Sequence, residues 1–215
     1  MKNILEYLEK TVGLYPNKVA FVDEYRELTF IDSQLSAKRI GTKLLSFGSN
    51  RAIAVLIDKN CNCIESMLGA LYAGDFYIVL DVHSPEERLC NILETLEDAI
   101  ILTDSKNYEL AQKIANNLNI IIYENIIDNV IDDEALRKVR NNMIDMDTAY
   151  ILFTSGSTGN PKGTVISHRS LISYINWVTD EFGFDYNTSF GSQTPLYFSM
   201  SVTDFYSTIK CGCTY

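Results

Sequence analysis

The densest run of ligand-binding groups is Thr154-Ser155-Gly156-Ser157-Thr158-Gly159-Asn160-Pro161-Lys162-Gly163. These ten residues hold four hydroxyls, three glycines, one lysine and no acid. Glycine lets the backbone take positive φ and approach a ligand closely. Successive N–H groups in such a bend form a concave anion site, the hydroxyls add neutral donors, and Lys162 adds a positive charge. The chain as a whole carries 18 Lys+Arg against 28 Asp+Glu, a formal net charge of −10. An acid-free, donor-rich segment in so acidic a chain reads as a grip for a polyphosphate. The bland alternative is an ordinary Gly/Ser hairpin turn, which ten residues exceed.

Three known loop motifs do not fit. A Walker A loop ends in Gly-Lys-Ser/Thr, whereas Lys162 follows Pro161 and precedes Gly163. A nucleophile elbow has glycine two residues before its serine, where Ser157 has Ser155. The dinucleotide fingerprint Gly-x-Gly-x-x-Gly is missing from the loop.

The elements that must position this loop follow from periodicity. Of the 215 residues, 47% are apolar, ample for a buried core in one or two domains. Ile53–Ile57 is continuously apolar, as in a strand covered on both faces. Cys61–Tyr72 carries Ile64, Met67, Leu68 and Leu71 at helical spacing, with Gly74 just beyond it. Phe76–Leu80, Ala99–Leu102, Ile120–Tyr123 and Ala149–Phe153 read as further buried strands. Helices are expected from Pro85 to about Leu96, with Ser84 as N-cap, and over Ser105–Leu118. Strand–helix alternation predicts an α/β fold with a mostly parallel sheet flanked by helices. The Asn- and Asp-rich stretch 124–147, with a short helix near Glu134–Arg140, is expected to be a surface connection and a sub-boundary.

On these residues the chain resembles the adenylate-forming ligases, the superfamily of acyl-CoA synthetases, luciferases and nonribosomal-peptide adenylation domains. Thr154–Gly163, continuing through Thr164-Val165-Ile166-Ser167-His168-Arg169, is similar to their signature phosphate loop. Leu28-Thr29-Phe30 and the helix Ser33–Leu45 resemble the first core motif. Leu71-Tyr72-Ala73-Gly74-Asp75-Phe76-Tyr77-Ile78-Val79-Leu80-Asp81 and Pro85-Glu86-Glu87-Arg88-Leu89 resemble the second, in its amino-acid-activating version. Phe198-Ser199-Met200-Ser201-Val202-Thr203-Asp204-Phe205-Tyr206 resembles the substrate motif, most like that of D-alanine–carrier-protein ligases.

The resemblance implies activation of a small carboxylic or amino acid by ATP and Mg2+ as an acyl-adenylate. Transfer to a phosphopantetheine thiol follows, on an acyl or peptidyl carrier protein or on CoA. It gives Thr154, Ser155, Gly156, Ser157, Thr158, Gly159 and Lys162 the role of holding the phosphates, and places Tyr197, Phe198, Ser199 and Asp204 beside the acid. Ser199 stands where the amino-acid branch has an aspartate for the substrate ammonium. A neutral hydroxyl cannot supply that charge-assisted bond, worth roughly 1.5–3 kcal/mol. Either another group binds the ammonium, or the acid is not an α-amino acid. The family's ribose-binding acid, C-terminal lid domain and adenylation lysine would come after Tyr215. Residues 1–215 are thus expected to be a partial N-terminal adenylation domain that lacks the lid, holds no catalytic residue and is inactive alone. The alternative is a truncated, non-catalytic polyphosphate-binding or interaction domain.

The remaining residues narrow the setting. Net acidity argues against a nucleic-acid or membrane partner. The longest strictly apolar run, Ala52–Ile57, falls far short of the ~18 residues of a membrane span. Cys61, Cys63, Cys90, Cys211 and Cys213 read as reduced thiols of a cytoplasmic protein, and their spacing predicts no metal site. Cys61 and Cys90 are expected in the core, His83 in an exposed turn and His168 as a packing residue. Trp177, Phe182 and Phe184 are expected to pack a helix end, with Trp177 as an alternative pocket residue.

Overall fold

The computed structural model describes residues 1–96, 98–154 and 161–215. The chain begins with α1 (Leu5–Leu14), an antiparallel pair β1 (Val19–Val22) and β2 (Glu27–Thr29), and α2 (Phe30–Leu44). Helix α2 starts at a capping box: Thr29 accepts the Asp32 N–H, and the Asp32 carboxylate accepts the Thr29 N–H. Then follow β3 (Ala52–Leu56), α3 (Cys61–Tyr72), β4 (Phe76–Val79), α4 (Glu86–Glu94), β5 (Ile100–Thr103), α5 (Tyr108–Ile114) and β6 (Asn119–Ile122). Helix α6 (Asp133–Asn142), β7 (Thr148–Thr154), β8 (Lys162–Ser167), α7 (His168–Phe182) and α8 (Ser201–Cys211) complete the described elements.

The main sheet has the order β6-β5-β3-β4-β7-β8. It is parallel except for β8, which runs antiparallel to β7. The expected α/β architecture is therefore present. Side chains alternate across a strand, and β3 shows the consequence. Ile53 and Val55 join the core with α1, α2, α3, α7 and α8, while Ala52, Ala54 and Leu56 face α4 and α5. Both faces are covered, which is why β3 reads as an unbroken apolar run.

Local chemistry moves some boundaries. Ser84 does not cap α4, because its hydroxyl donates to Asp81 Oδ2 at 3.2 Å and Pro85 occupies the N-cap position. Helix α5 is shorter than Ser105–Leu118: Asp104 Oδ1 accepts the Asn107 N–H at 2.9 Å and so holds the first residues in a turn. Gly74, one residue past the C-cap of α3, takes φ 72° as its spacing predicts. Stretch 124–147 carries the chain from edge strand β6 to β7 on the far side of β4. Along the way α6 lies on α2, tied by Lys38–Asp133, while Arg140–Glu9 ties α6 to α1.

Candidate functional site

Strand β3 has β4 on one side and β5 on the other. The connection leaving β3 passes to α3 on one face, and that leaving β4 passes to α4 on the opposite face. The carboxyl ends of β3 and β4 therefore part, and a crevice at such a switch point is where open α/β sheets bind ligands. A cavity of about 320 Å³ lies there, between Asp58–Lys59, Asp81–Val82 and Pro195–Tyr197. A second, about 520 Å³, lies between the ends of β4 and β7 and is lined by Asp81, Arg88, Thr154, Tyr197, Phe198 and Ser199 among others. A larger space of about 750 Å³ opens between α1, α2 and α6. Four of the charged residues lining it are paired with one another (Lys38–Asp133, Arg140–Glu9), and no strand residue lines it. The strand-end cavities are the better candidate for chemistry.

Thr154 is the last residue of β7 and Lys162 the first of β8, and the two face each other as antiparallel partners. The loop thus joins two hairpin strands, so the hairpin reading was correct about the strands. Ser155, Gly156, Ser157, Thr158 and Gly159 lie outside the described residues. Thr154 and Lys162 are both exposed. Among the described residues no carboxylate lies within ion-pair distance of Lys162.

Of the acid-pocket residues, Tyr197 lines both cavities and Phe198 and Ser199 line the second. Burial and the neighbouring Asp81 carboxylate raise the Tyr197 phenol above its ordinary value. Asp204 is not with them. It sits half-buried in the first turn of α8, where burial raises its carboxyl and Lys59 draws it back down.

Two residues at the site escaped the sequence reading. Lys59 follows β3 and donates to Ser192 Oγ at 2.8 Å and Thr194 O at 2.9 Å. It anchors the segment leading to Tyr197, with its ammonium 5.8 Å from the centre of the Tyr215 ring. Asp81 follows β4, and its carboxylate holds the turn by accepting from His83 N at 3.0 Å and from Ser84 Oγ. The available signal was position: each comes just after a buried parallel strand, where site residues cluster.

Other residues resolve simply. His168 is fully buried, its Nδ1 accepting the Ile4 N–H at 3.3 Å, a packing role as expected. His83 is exposed and Cys61 buried, but Cys90 is only half-buried. Trp177 does not pack a helix end. Leu171, Ile175 and Val178 take the buried face of α7, leaving Trp177 57% exposed against Tyr174. Phe182 is also exposed, stacked on Phe184 at 5.7 Å.

The strand-end cavities, with Thr154 at the end of β7 lining the second of them, are the setting in which the comparisons with known proteins are read. The chain belongs to the AMP-binding enzyme family, whose model matches residues 8–215. These are the adenylate-forming ligases that its motifs resemble. It is 28% identical over 215 residues to the D-alanine–D-alanyl carrier protein ligase of Lacticaseibacillus casei, covering 99% of this chain and 41% of that protein. It is 30% identical over 214 residues to tyrocidine synthase 3 of Brevibacillus parabrevis, covering 96% of this chain and 3% of that one. The chain therefore spans well under half the length of these relatives. Among solved structures, the nonribosomal peptide synthetase FmoA3 with bound α-methyl-L-serine-AMP superposes with a TM-score of 0.87 at 23% identity, over 99% of this chain and 23% of that one. The Klebsiella oxytoca NpsA N-terminal subdomain superposes with a TM-score of 0.83 at 18% identity, over 100% and 53%. At such identities these matches establish the fold. Among the described residues no helix is long and apolar enough to cross a membrane.

Proposed function

We propose that this chain supplies the phosphate-gripping half of an active site that activates a small carboxylic or amino acid with ATP. The acyl-adenylate would then pass to a phosphopantetheine thiol on a carrier protein or on CoA, in the cytoplasm. One observation carries the reading: the Thr154–Lys162 loop leaves the carboxyl end of β7 beside the cavity lined by Tyr197, Phe198 and Ser199. A triphosphate in the loop would bring its α-phosphorus to the mouth of that cavity, where the acid carboxylate attacks. The carboxylate is already nucleophilic, so the protein's task is positioning and charge stabilisation.

Thr154, Ser155, Gly156, Ser157, Thr158, Gly159 and Lys162 would hold the phosphates, Lys162 as the charge. Among the described residues no group of three or more His, Cys, Asp or Glu could cage a metal. Mg2+ would arrive on the nucleotide, neutralising its phosphates. Tyr197, Phe198 and Ser199 would contact the acid. Asp204, facing Lys59, would position α8 from behind. With a hydroxyl at 199, the pocket favours an acid without an α-ammonium, or one whose ammonium meets Asp81 instead.

Acid-dependent ATP–pyrophosphate exchange tests this on the full open reading frame encoding the chain and on residues 1–215 alone. Exchange by the full product with a carboxylic acid, and none by residues 1–215, is expected. No exchange by the full product across a broad acid panel supports a non-catalytic polyphosphate-binding domain instead.

A further inference from the structure

We infer that Lys59 is a positioning residue that clamps residues 191–194 to the end of β3 and thereby sets how Tyr197, Phe198 and Ser199 line the acid cavity. What that cavity holds rests on the proposed function, whereas the clamp stands on contacts within the fold. The strap that joins α7 to α8 lines both strand-end cavities, the first through Gln193, Pro195 and Tyr197 and the second through Tyr197, Phe198 and Ser199. Its course therefore fixes the shape of both.

The strap is pinned at its two ends. Phe190 N–H donates to Thr214 O at 2.9 Å, and the Phe190 ring meets Phe184 edge-on with centroids 5.0 Å apart. At the other end Leu196 is buried, and the Ser201 hydroxyl donates to Phe198 O at 2.7 Å as α8 begins. Between these points, among the described residues, the only hydrogen bonds that residues 191–194 make are with Lys59.

Lys59 Nζ donates to the Ser192 carbonyl, to Ser192 Oγ at 2.8 Å and to Thr194 O at 2.9 Å. An ammonium carries three donors, and this set uses all of them. Lys59 thus has no donor left for an acid's carboxylate, although it lines the first cavity. The Tyr215 ring beside it adds a cation–π contact. The backbone that carries Lys59 is held on both sides. Ile57 before it is buried at the end of β3, and Asn60 after it caps α3, its Oδ1 accepting the Cys63 N–H at 3.1 Å. Cys61 N–H donates in turn to Asp23 Oδ2 at 2.8 Å. A fixed point therefore grips a strap that is otherwise free between its ends.

Lys59 is exposed, and exposed charged contacts contribute little one by one. Three donors from one group close a single short bend, so the clamp is modest and its loss local. Without it the strap opens more often, while the sheet and α8 keep their buried contacts. Proteolysis of a transiently open segment tracks how often it opens, which makes the strap's own aromatic residues the reporters.

The test is chymotrypsin cleavage of the 215-residue chain without ligand, wild type against Lys59→Met, with fragments identified by mass. Cleavage after Tyr197 or Phe198 should be about 3- to 10-fold faster in Lys59→Met. Cleavage after Tyr25, 83% exposed in the β1–β2 turn, should be unchanged. Equal rates at the strap, or equal acceleration at Tyr25, overturn the inference. Should Lys59→Met fail to fold by circular dichroism, Ser192→Ala decides: removing one of the three acceptors should speed strap cleavage about twofold, and an unchanged rate overturns the clamp. In the product of the full open reading frame, Lys59→Met should raise KM for the acid about 3- to 10-fold and leave KM for ATP unchanged, and a change confined to ATP or to kcat contradicts the positioning role. No exchange by the wild-type full product refutes the proposed activity alone, because the cleavage rates judge the clamp independently.

Discussion

Acidifying the protein should reveal the burial of His168. In the fold its Nδ1 accepts the Ile4 N–H, so the neutral ring carries its proton on Nε2, which has no partner among the described residues. Burial, reinforced by Arg140 and opposed by Asp147, lowers its pKa from 6.5 to about 4. A depressed histidine binds its proton more readily when unfolded. Its contribution to stability is therefore complete above the unfolded value, shrinks as pH falls from about 6.5 to about 4, and is constant below that. A difference of that size corresponds to about 3 kcal/mol, most of it lost between about pH 7 and about pH 4.5.

Buried Asp75 runs the other way. Its Oδ1 accepts the Arg51 N–H at 2.9 Å, while Oδ2 has no partner among the described residues. Burial raises its carboxyl to about 7 against the Arg51 hydrogen bond and charge. A raised acid destabilises the fold as pH rises through that range, so acidification recovers stability that His168 loses. The wild-type curve should look deceptively flat. The assay is urea unfolding across this range for the wild type and His168→Asn, whose amide oxygen can still accept from Ile4. The gap between the two curves should close by about 2–3 kcal/mol toward acid, because the variant lacks the titrating ring. A gap that stays constant with pH refutes the assignment of a neutral, buried imidazole.

Two further perturbations test the scaffold. A Cβ on Gly69 would lie 2.4 Å from Ile40 Cγ2, so Gly69→Ala should force α3 away from α2 and cost about 1–3 kcal/mol by thermal or urea unfolding. Glu65 is fully buried, with Oε2 held by Arg26 and by the Tyr123 hydroxyl at 2.5 Å and Oε1 unpartnered among the described residues. Removing the hydroxyl in Tyr123→Phe should cost about 1–3 kcal/mol by the same assay, whereas an exposed phenol such as Tyr25 should tolerate the change within about 0.5 kcal/mol.

The sheet was legible because burial on both faces leaves β3, β4 and β5 as unbroken apolar runs, a pattern that needs no long-range information. The αL glycine after α3 was legible for a similarly local reason. Boundaries set by side chains competing for one partner were not: Ser84 looks like a cap until Asp81 claims its hydroxyl. At the site, the loop's composition reads as an anion grip, a reading that falls mostly outside the described residues, whereas its setting as the connection of an antiparallel pair depends on where β8 pairs. Lys59 and Asp81 are ordinary charged turn residues in sequence. Only strand order, with β3 between β4 and β5, brings their turns together across one crevice. Trp177 shows the converse error, since aromatic character alone does not say which side of α7 meets the core.

The proposed activity requires the loop after β7 to bind a nucleotide's phosphates, and equilibrium binding of Mg-ATP to the 215-residue chain tests that most directly. Wild type should bind, and Lys162→Ala, exposed and without an ion-pair partner among the described residues, should fold normally yet bind about 10- to 100-fold more weakly, the loss of one charge-assisted contact. Equal affinity in the two proteins, or no detectable binding by the folded wild type, would contradict it.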